Sequence, residues 1–325
     1  MSEDFQIPRR TFLAGTAATV ALSQGAIAAP PASIPIIDTH IHLFDPNRPQ
    51  GAPYRGPNNS PVHTRGAFPD QYQALLGKHG IVGAIEVEAS PWIEDNLWVL
   101  ELCAKHDIMV GTVGNLRPEV AEFPEYLERY HKNPLFRGIR HGNLWRYDIV
   151  AQSRNAAYLA NLKLLAQADL VLDTANPRVD LLEALVRIND AVPELRIIID
   201  HLPKLEPKPE ERAAYDAVLR EIAKRPNINC KVSAVIHPVD GKVSTNLADH
   251  KERIDLLMET FGEDRVVFGT DWPNNEGDTP VDNVVRIMKE YFADKPRPAA
   301  EKYFWRNSVA IYKWTPRTQA QRALV

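Results

Sequence analysis

Two histidines one residue apart, His40 and His42, could bind a metal ion or position a water molecule for reaction. Side chains alternate between the two faces of a strand, so Ile36, Asp38, His40 and His42 are expected on one face, with both imidazoles on the same side. Imidazole pairs suit zinc or manganese, and they also serve as hydrogen-bonding structural groups. The tripeptide alone leaves both interpretations open.

Two further apolar runs end in groups of the same kind. One ends in Asp200-His201, where alternation places His201 on the face of Ile197 and Ile199, and another ends in Asp271. Carboxyl ends of parallel strands meet at one rim of a barrel, so these groups should meet the two histidines there. The predicted catalytic set and the predicted metal ligands are the same four residues, His40, His42, His201 and Asp271.

Additional polar side chains at this rim are candidates for substrate binding. Lys231 and Ser233 share a face of one predicted strand, although a buried lysine paired with a rim acid would explain Lys231 equally well. Glu86 and Glu88 can both face the barrel, and Glu88 lies nearer the rim. Tyr54 belongs to the proline-rich segment 46–61, which we expect to form a wall over the site rather than a merely decorative insertion.

Eight strand-like runs, each followed by a helical pattern, must position these residues. This alternation predicts a single (β/α)8 TIM barrel, and the run 299–314 predicts a C-terminal closing helix. A doubly wound nucleotide-binding sheet should carry a glycine-rich turn after its first strand, where this chain has His40-Ile41-His42 instead. The predicted strands are Ile34–Phe44, Ile81–Ala89, Ile108–Leu116, Phe136–His141, Leu170–Thr174, Leu195–Leu202, Ile228–Val235 and Arg265–Asp271.

Charge and cysteine content exclude several classes of function. The 325 residues carry 38 basic and 42 acidic side chains, a formal net charge of −4. No overall positive field is present to bind nucleic acid, so we expect a small-molecule substrate instead. The two cysteines, Cys103 and Cys230, form no zinc or redox motif, and we expect no disulfide between them.

The first 28 residues read as an export signal. Arg9-Arg10 precedes a short apolar run and a small-residue stretch, an order that resembles a twin-arginine signal peptide. The apolar run is too short and too interrupted to span a bilayer, so no membrane anchor is expected after cleavage. We therefore predict a signal peptide at 1–28, a barrel domain at 29–325 and a periplasmic location.

Several strand-end motifs together resemble the amidohydrolase-2 branch of the amidohydrolase superfamily, over residues 34–314. Within that branch the order is similar to the sugar-lactone and 2-pyrone-4,6-dicarboxylate lactonases. The resemblance implies a substrate bearing carboxylate or hydroxyl groups, with Arg140 holding a carboxylate through its forked donors. The motifs are Asp38-Thr39-His40-Ile41-His42, Phe136-Arg137-Gly138-Ile139-Arg140, Ile199-Asp200-His201-Leu202, Asn229-Cys230-Lys231-Val232-Ser233 and Gly269-Thr270-Asp271-Trp272-Pro273.

The metal content is left open by one departure from the family. Decarboxylases of the superfamily place a further histidine at the end of the fifth strand, and the segment 170–176 contains none. One divalent ion, zinc or manganese, is compatible with the predicted ligands, and a metal-free site is equally compatible. Asp173 or Glu88 could supply an additional oxygen ligand.

The sequence thus predicts a hydrolase that opens a lactone or related cyclic ester, with Asp271 as general base toward water. One alternative is a metal-dependent decarboxylase or hydratase of a hydroxylated aromatic acid. A second alternative, from another class, is a non-catalytic periplasmic binding protein. The identity of the substrate and the oligomeric state stay open, and the sequence is compatible with a homo-oligomer.

Overall fold

Eight parallel strands and their connecting helices surround a common axis in the computed structural model, which describes residues 33–53, 62–236, 238–239, 242–274 and 281–325. The strands pair in chain order, and the last returns to the first through a bridge between Ile41 and Trp272. The backbone NH of Asp271 also donates to the carbonyl of His40 at 2.9 Å. The predicted (β/α)8 barrel is confirmed.

Seven of the eight barrel strands end earlier than predicted, because the backbone leaves the sheet toward the mouth of the barrel, and the fifth ends at Thr174 as predicted. A two-stranded hairpin, β8 (Pro238–Val239) and β9 (Lys242–Val243), lies outside the barrel sheet. The barrel strands are β1 (Ile36–Ile41), β2 (Ile81–Val87), β3 (Met109–Gly114), β4 (Phe136–Arg140), β5 (Val171–Thr174), β6 (Arg196–Ile199), β7 (Ile228–Lys231) and β10 (Val266–Val267).

The helices follow the predicted pattern with one break. The apolar spacing over 151–168 predicts one helix, but this run forms two, because the Asn155 side chain accepts a hydrogen bond from the NH of Ala157 and so starts a new helix. The helices are α1 (Val62–Arg65), α2 (Pro69–Leu76), α3 (Asp95–Ala104), α4 (Phe123–Tyr130), α5 (Ile149–Gln152), α6 (Ala156–Gln167), α7 (Val179–Ala191), α8 (Arg212–Ala223), α9 (Lys251–Phe261), α10 (Val281–Tyr291), α11 (Arg297–Glu301), α12 (Asn307–Tyr312) and α13 (Gln319–Arg322).

The predicted closing helix, 299–314, is present as α11 and α12 joined by the π-helical turn Lys302–Arg306. Three of its aromatic residues, Trp305, Tyr312 and Trp314, join the inner cluster of strand side chains that fills the barrel. Arg137, near the start of β4, donates to the carbonyl of Lys313 at 2.9 Å, a structural contact at the end of the barrel opposite the strands' carboxyl ends. The closing segment therefore forms the floor of the barrel.

Parts of the sequence-based prediction lie outside the described residues, namely the signal peptide at 1–28, Tyr54 and the tip of the segment 46–61. Within the described residues, no helix is both long and apolar enough to cross a membrane. Cys103 and Cys230 are buried free thiols, as expected.

Candidate active site

The Asp271 carboxylate lies at the centre of a histidine cluster at the mouth of the barrel. Its Oδ1 atom is 3.3 Å from Nε2 of His42, 3.4 Å from Nε2 of His201 and 3.8 Å from Nε2 of His40. Asp271 has a left-handed backbone conformation, with φ of 64°, where the chain leaves β10. The structure thus brings together all four residues predicted from the strand ends.

His201 reaches this cluster by a route that strand alternation did not predict. The prediction that Ile197 and Ile199 share its inward face is wrong. Both pack in the outer core, between the strands and the surrounding helices, while Ile198 belongs to the inner cluster. Asp200, the next inward position, is fully buried. His201 turns toward the mouth because its φ of 53° breaks the alternation just after β6.

Asp38 does not point into the mouth, contrary to the prediction for its face of β1. Ile36 packs in the outer core, and the Asp38 carboxylate accepts a 2.8 Å hydrogen bond from the Tyr72 hydroxyl of α2. The backbone NH and the hydroxyl of Thr270 also donate to this carboxylate. A shift in pairing register between Asp38 and Ile41 separates it from the histidines. Burial raises the pKa of Asp38 to about 6, although these donors oppose the shift.

Lys231 lies beneath the cluster and is fully buried. Its Nζ is 2.5 Å from Oδ2 of Asp173, 3.0 Å from Oδ1 of Asp200 and 3.3 Å from Nδ1 of His40. The Tyr312 hydroxyl donates to Asp173 from the floor, at 3.0 Å. These contacts favour the structural explanation of Lys231 over direct substrate binding. They also contradict a role for Asp173 as a spare metal ligand, because its carboxylate is already engaged.

These contacts assign the protons of two site histidines. The Lys231 ammonium can only donate, so Nδ1 of His40 accepts and the proton of the neutral ring lies on Nε2. That atom is 3.3 Å from Nε2 of His42, whose Nδ1 donates to the Val87 carbonyl at 2.7 Å. Burial and the adjacent His201 and Lys231 lower the pKa of His40 well below its ordinary value, consistent with a neutral ring.

Arg140 is held by protein groups rather than left free for a substrate carboxylate. Its Nε donates to Oε1 of Glu88 at 2.8 Å, and its Nη2 donates to the Glu88 carbonyl at 2.5 Å. The other Glu88 oxygen accepts from the Trp145 indole at 2.9 Å and from the NH of Ser90 at 3.0 Å. Both partners are nearly buried, and Nη1 of Arg140 lies 3.9 Å from Asp200. The predicted carboxylate receptor is therefore already charge-compensated.

Glu86 faces away from the barrel axis, contrary to the prediction. Its neighbours Ile85 and Val87 fill the inner cluster, while Glu86 lines a cleft with Asn96 and Val99 of α3. Burial, reinforced by the nearby Glu88 carboxylate, raises the pKa of Glu86 well above its ordinary value. Glu86 therefore belongs to the layer between strand and helix.

Three more side chains complete the immediate surroundings of the cluster. The predicted residue Ser233 lies 2.9 Å from Nδ1 of His201, and burial lowers the pKa of that histidine to about 3. Lys204, which sequence reasoning missed, donates to Oδ2 of Asp271 at 3.0 Å, and Asn274 donates to Oδ1 at 2.9 Å. Burial alone would raise the pKa of Asp271, but His201 and Lys204 hold it well below its ordinary value.

The donor set fits a divalent metal ion. One ligand atom each from His40, His201 and Asp271 lie within 4.8 Å of one another, and two imidazole nitrogens with one carboxylate oxygen suit zinc or manganese. His42 Nε2 is also close to this group. In the neutral ring, the hydrogen bond from Nδ1 to the Val87 carbonyl places the proton on Nδ1 and leaves Nε2 unprotonated. Binding through Nε2 of His40 would require release of the proton assigned to it.

Comparison with known proteins agrees with this arrangement. Residues 37–314 match the family profile described as amidohydrolase. An L-fucono-1,5-lactonase from Burkholderia ambifaria is 26% identical over 73% of this chain and 80% of its own length. A protein of the same name from Burkholderia multivorans is 24% identical, over 84% of this chain and 94% of its own length.

Solved structures share the fold at lower identity. A zinc-bound amidohydrolase from Burkholderia multivorans superposes with a TM-score of 0.75 at 20% identity, covering 86% of this chain and all of its own. A Pseudomonas putida structure assigned as a 2-pyrone-4,6-dicarboxylic acid hydrolase gives 0.67 at 18%, covering 86% and 98%. A manganese complex of 5-carboxyvanillate decarboxylase from Novosphingobium aromaticivorans gives 0.62 at 16%, covering 86% and 96%.

Proposed function

Since the chain belongs to the amidohydrolase family and is a hydrolase of that superfamily, we propose that it opens a lactone ring by adding water. The observation that carries this proposal is the ionised Asp271 carboxylate, surrounded by His40, His42 and His201 at the mouth of the barrel. A carboxylate in this setting can accept a proton from water while the neutral His201 imidazole donates a hydrogen bond from Nε2.

The reaction proceeds through addition and elimination at the lactone carbonyl. Asp271 accepts a proton from water as the water oxygen bonds to the carbonyl carbon, which places negative charge on the carbonyl oxygen. His201 can donate to that oxyanion from Nε2, because the Ser233 hydroxyl can supply the hydrogen bond at its Nδ1. The ring C–O bond then breaks, and the leaving oxygen takes the proton from Asp271. A divalent ion, if bound, would be held by His40, His201 and Asp271 and would itself supply polarisation of the carbonyl.

We propose an uncharged, hydroxyl-bearing lactone as the substrate. The Arg140 guanidinium is paired with Glu88, and the Lys231 ammonium is paired with Asp173 and Asp200. Neither cation retains the uncompensated charge that recognition of a dicarboxylate would require. The two lactonase relatives from Burkholderia are named for a sugar lactone, L-fucono-1,5-lactone, which agrees with this choice.

Asp271→Asn tests the proposal. Purified protein lacking residues 1–28 would be assayed with a pH indicator against L-fucono-1,5-lactone, other sugar lactones and 2-pyrone-4,6-dicarboxylate, with the metal content measured in parallel. We expect sugar-lactone hydrolysis by the wild type and a loss of at least about 100-fold in kcat for Asp271→Asn. Asp294→Asn, the same change on an exposed surface, is the control. Near wild-type turnover by Asp271→Asn would exclude this mechanism.

The decarboxylase alternative is supported by fold similarity to 5-carboxyvanillate decarboxylase and by the donor set suited to a divalent ion. It predicts tightly bound zinc or manganese, CO₂ release from a hydroxylated aromatic acid and loss of activity on chelation. The end of β5 argues against the decarboxylase alternative, because Asp173 has no histidine beside it there. A folded protein with no turnover on either panel would support non-catalytic ligand binding instead.

We also propose that residues 1–28 export the folded barrel to the periplasm. The support is the Arg9-Arg10 pair before an apolar run and a small-residue stretch. Arg9→Lys together with Arg10→Lys should shift the protein from the periplasmic to the cytoplasmic fraction, and the N-terminal sequence of the exported form locates the cleavage point. Unchanged fractionation would contradict the twin-arginine assignment.

A further inference from the structure

Lys204 is a partly exposed cation in contact with the central carboxylate of the site. Its ammonium donates to Oδ2 of Asp271 at 3.0 Å, and its side chain is 49% exposed, whereas that of Asp271 is 5% exposed. Among the described residues it is the one lysine or arginine that forms an ion pair with Asp271. Lys204 therefore approaches the carboxylate from the solvent side, opposite the buried Lys231.

The turn that carries Lys204 is fixed by packing and hydrogen bonding. Lys204 ends the 3₁₀ turn Leu202–Lys204, directly after His201, and the two preceding residues, Leu202 and Pro203, are buried. The NH of Lys204 donates to the His201 carbonyl at 2.9 Å, and Arg253 donates to the Pro203 carbonyl at 3.1 Å. This anchoring holds the base of the lysine side chain at the mouth, while its exposed end remains able to move.

The same carboxylate would serve both the lysine and a metal ion. A divalent ion bound by His40, His201 and Asp271 would lie within a few ångströms of the Lys204 ammonium, because both contact Asp271. Lys204 contacts Oδ2 of Asp271, whereas the histidines lie nearest Oδ1, so the two cations would share one carboxylate and repel each other. Lys204 must therefore oppose metal binding at Asp271.

We propose that Lys204 is a resident cation that lowers the affinity of this site for divalent metal ions and holds Asp271 in position when no metal is bound. The inference uses the carboxylate on which the proposed lactone hydrolysis rests, but metal affinity is measured without any substrate. Lys204 is in this view a positioning residue, acting through Asp271. The consequence is a site in which one charged side chain sets the balance between metal-free and metal-bound forms.

Titration with zinc and with manganese tests this inference. Chelator-treated wild type, Lys204→Met, Lys204→Gln and Lys204→Arg would be compared by isothermal titration calorimetry at one pH and ionic strength. We expect the two neutral variants to bind metal at least about tenfold more tightly, because they lose the repulsion between the ammonium and the metal ion. Lys204→Arg should stay near the wild type. Lys208→Met, which removes the same charge from an exposed position nearby, should leave the affinity unchanged.

Equal affinities of wild type and both neutral variants, or no measurable binding to any of them, would overturn the inference. A comparable increase in the Lys208→Met control would also overturn it, since it would indicate a general charge effect. Lactone assays on the same metal-free samples separate this question from the proposed function. Hydrolysis with unchanged metal affinities would refute the role of Lys204 alone, whereas absent hydrolysis with tighter metal binding would refute the proposed function alone.

Discussion

Replacing Lys231 with methionine should destabilise the barrel more than most single substitutions. The fully buried ammonium lies 2.5 Å from Asp173 and 3.0 Å from Asp200, two carboxylates that are also fully buried. Removing one partner of a buried ion pair costs about 3–5 kcal/mol, because the remaining charge is left without compensation. The contact at 3.9 Å between Arg140 and Asp200 offsets only part of this loss. We therefore expect a decrease of about 3–5 kcal/mol in the free energy of unfolding at pH 7.5.

Urea denaturation at pH 7.5 and 5.5 measures this cost. Burial raises the pKa of Asp173 from 3.8 to about 7 in the presence of Lys231, and loss of that cation should raise it further. The folded state then binds more protons than the unfolded state across this range, so the free energy of unfolding increases as the pH falls. The cost of Lys231→Met should be smaller at pH 5.5 than at pH 7.5.

A compensating variant separates charge from packing. Adding Asp173→Asn to Lys231→Met removes one uncompensated carboxylate, and it should recover part of the lost stability at pH 7.5. Lys224→Met, on the exposed surface, is the control and should change the free energy of unfolding by less than about 0.5 kcal/mol. A loss below about 1 kcal/mol for Lys231→Met, or a cost that grows on acidification, would refute the charge-compensation argument.

Three further predictions concern groups around the site. Tyr72→Phe removes a hydrogen-bond donor to the Asp38 carboxylate, whose pKa is about 6. Urea denaturation should therefore show that the free energy of unfolding falls by about 1–2 kcal/mol at pH 8 and by less at pH 5, and equal losses would contradict this. Glu88→Gln removes the carboxylate that compensates the charge of Arg140, so a dicarboxylate such as malonate should bind more tightly and its inhibition constant should fall roughly tenfold. An unchanged inhibition constant would contradict the charge compensation of Arg140 by Glu88. The pKa of Asp271 is held well below its usual range, so protonation of Asp271 should not lower kcat/KM between pH 8 and 5. A decline in kcat/KM toward pH 5 that disappears in Asp271→Asn would contradict this prediction.

The architecture was predictable because each strand is encoded locally by a short β-branched or apolar run. The predicted site residues lie close together for a related reason, since barrel topology brings strand ends such as those carrying His40 and Asp271 to one rim. Alternation failed where the backbone leaves the sheet. His201 and Asp271 adopt left-handed conformations, and the enrichment of histidine and aspartate in that region is too weak a signal to predict the change.

The pairing of charges was beyond local prediction. Lys231 and Asp173 are 58 residues apart and meet only in the closed barrel, and the contact between Arg140 and Glu88 spans 52 residues. A lysine three residues after a site histidine is not distinguishable in sequence from an ordinary surface lysine, so Lys204 was missed. Its one available signal was its position in the turn that follows β6.

Closure of the barrel between its first and last strands has a consequence for the nascent chain on the ribosome. Asp271 follows His40 by 231 residues, so at ordinary translation speeds it emerges roughly 10–50 s later. Tyr312, which donates to Asp173 from the floor, emerges later still. A nascent chain that ends before Asp271 cannot assemble the histidine–aspartate cluster, and a premature stop before the closing helix should leave an inactive polypeptide with an unsealed barrel.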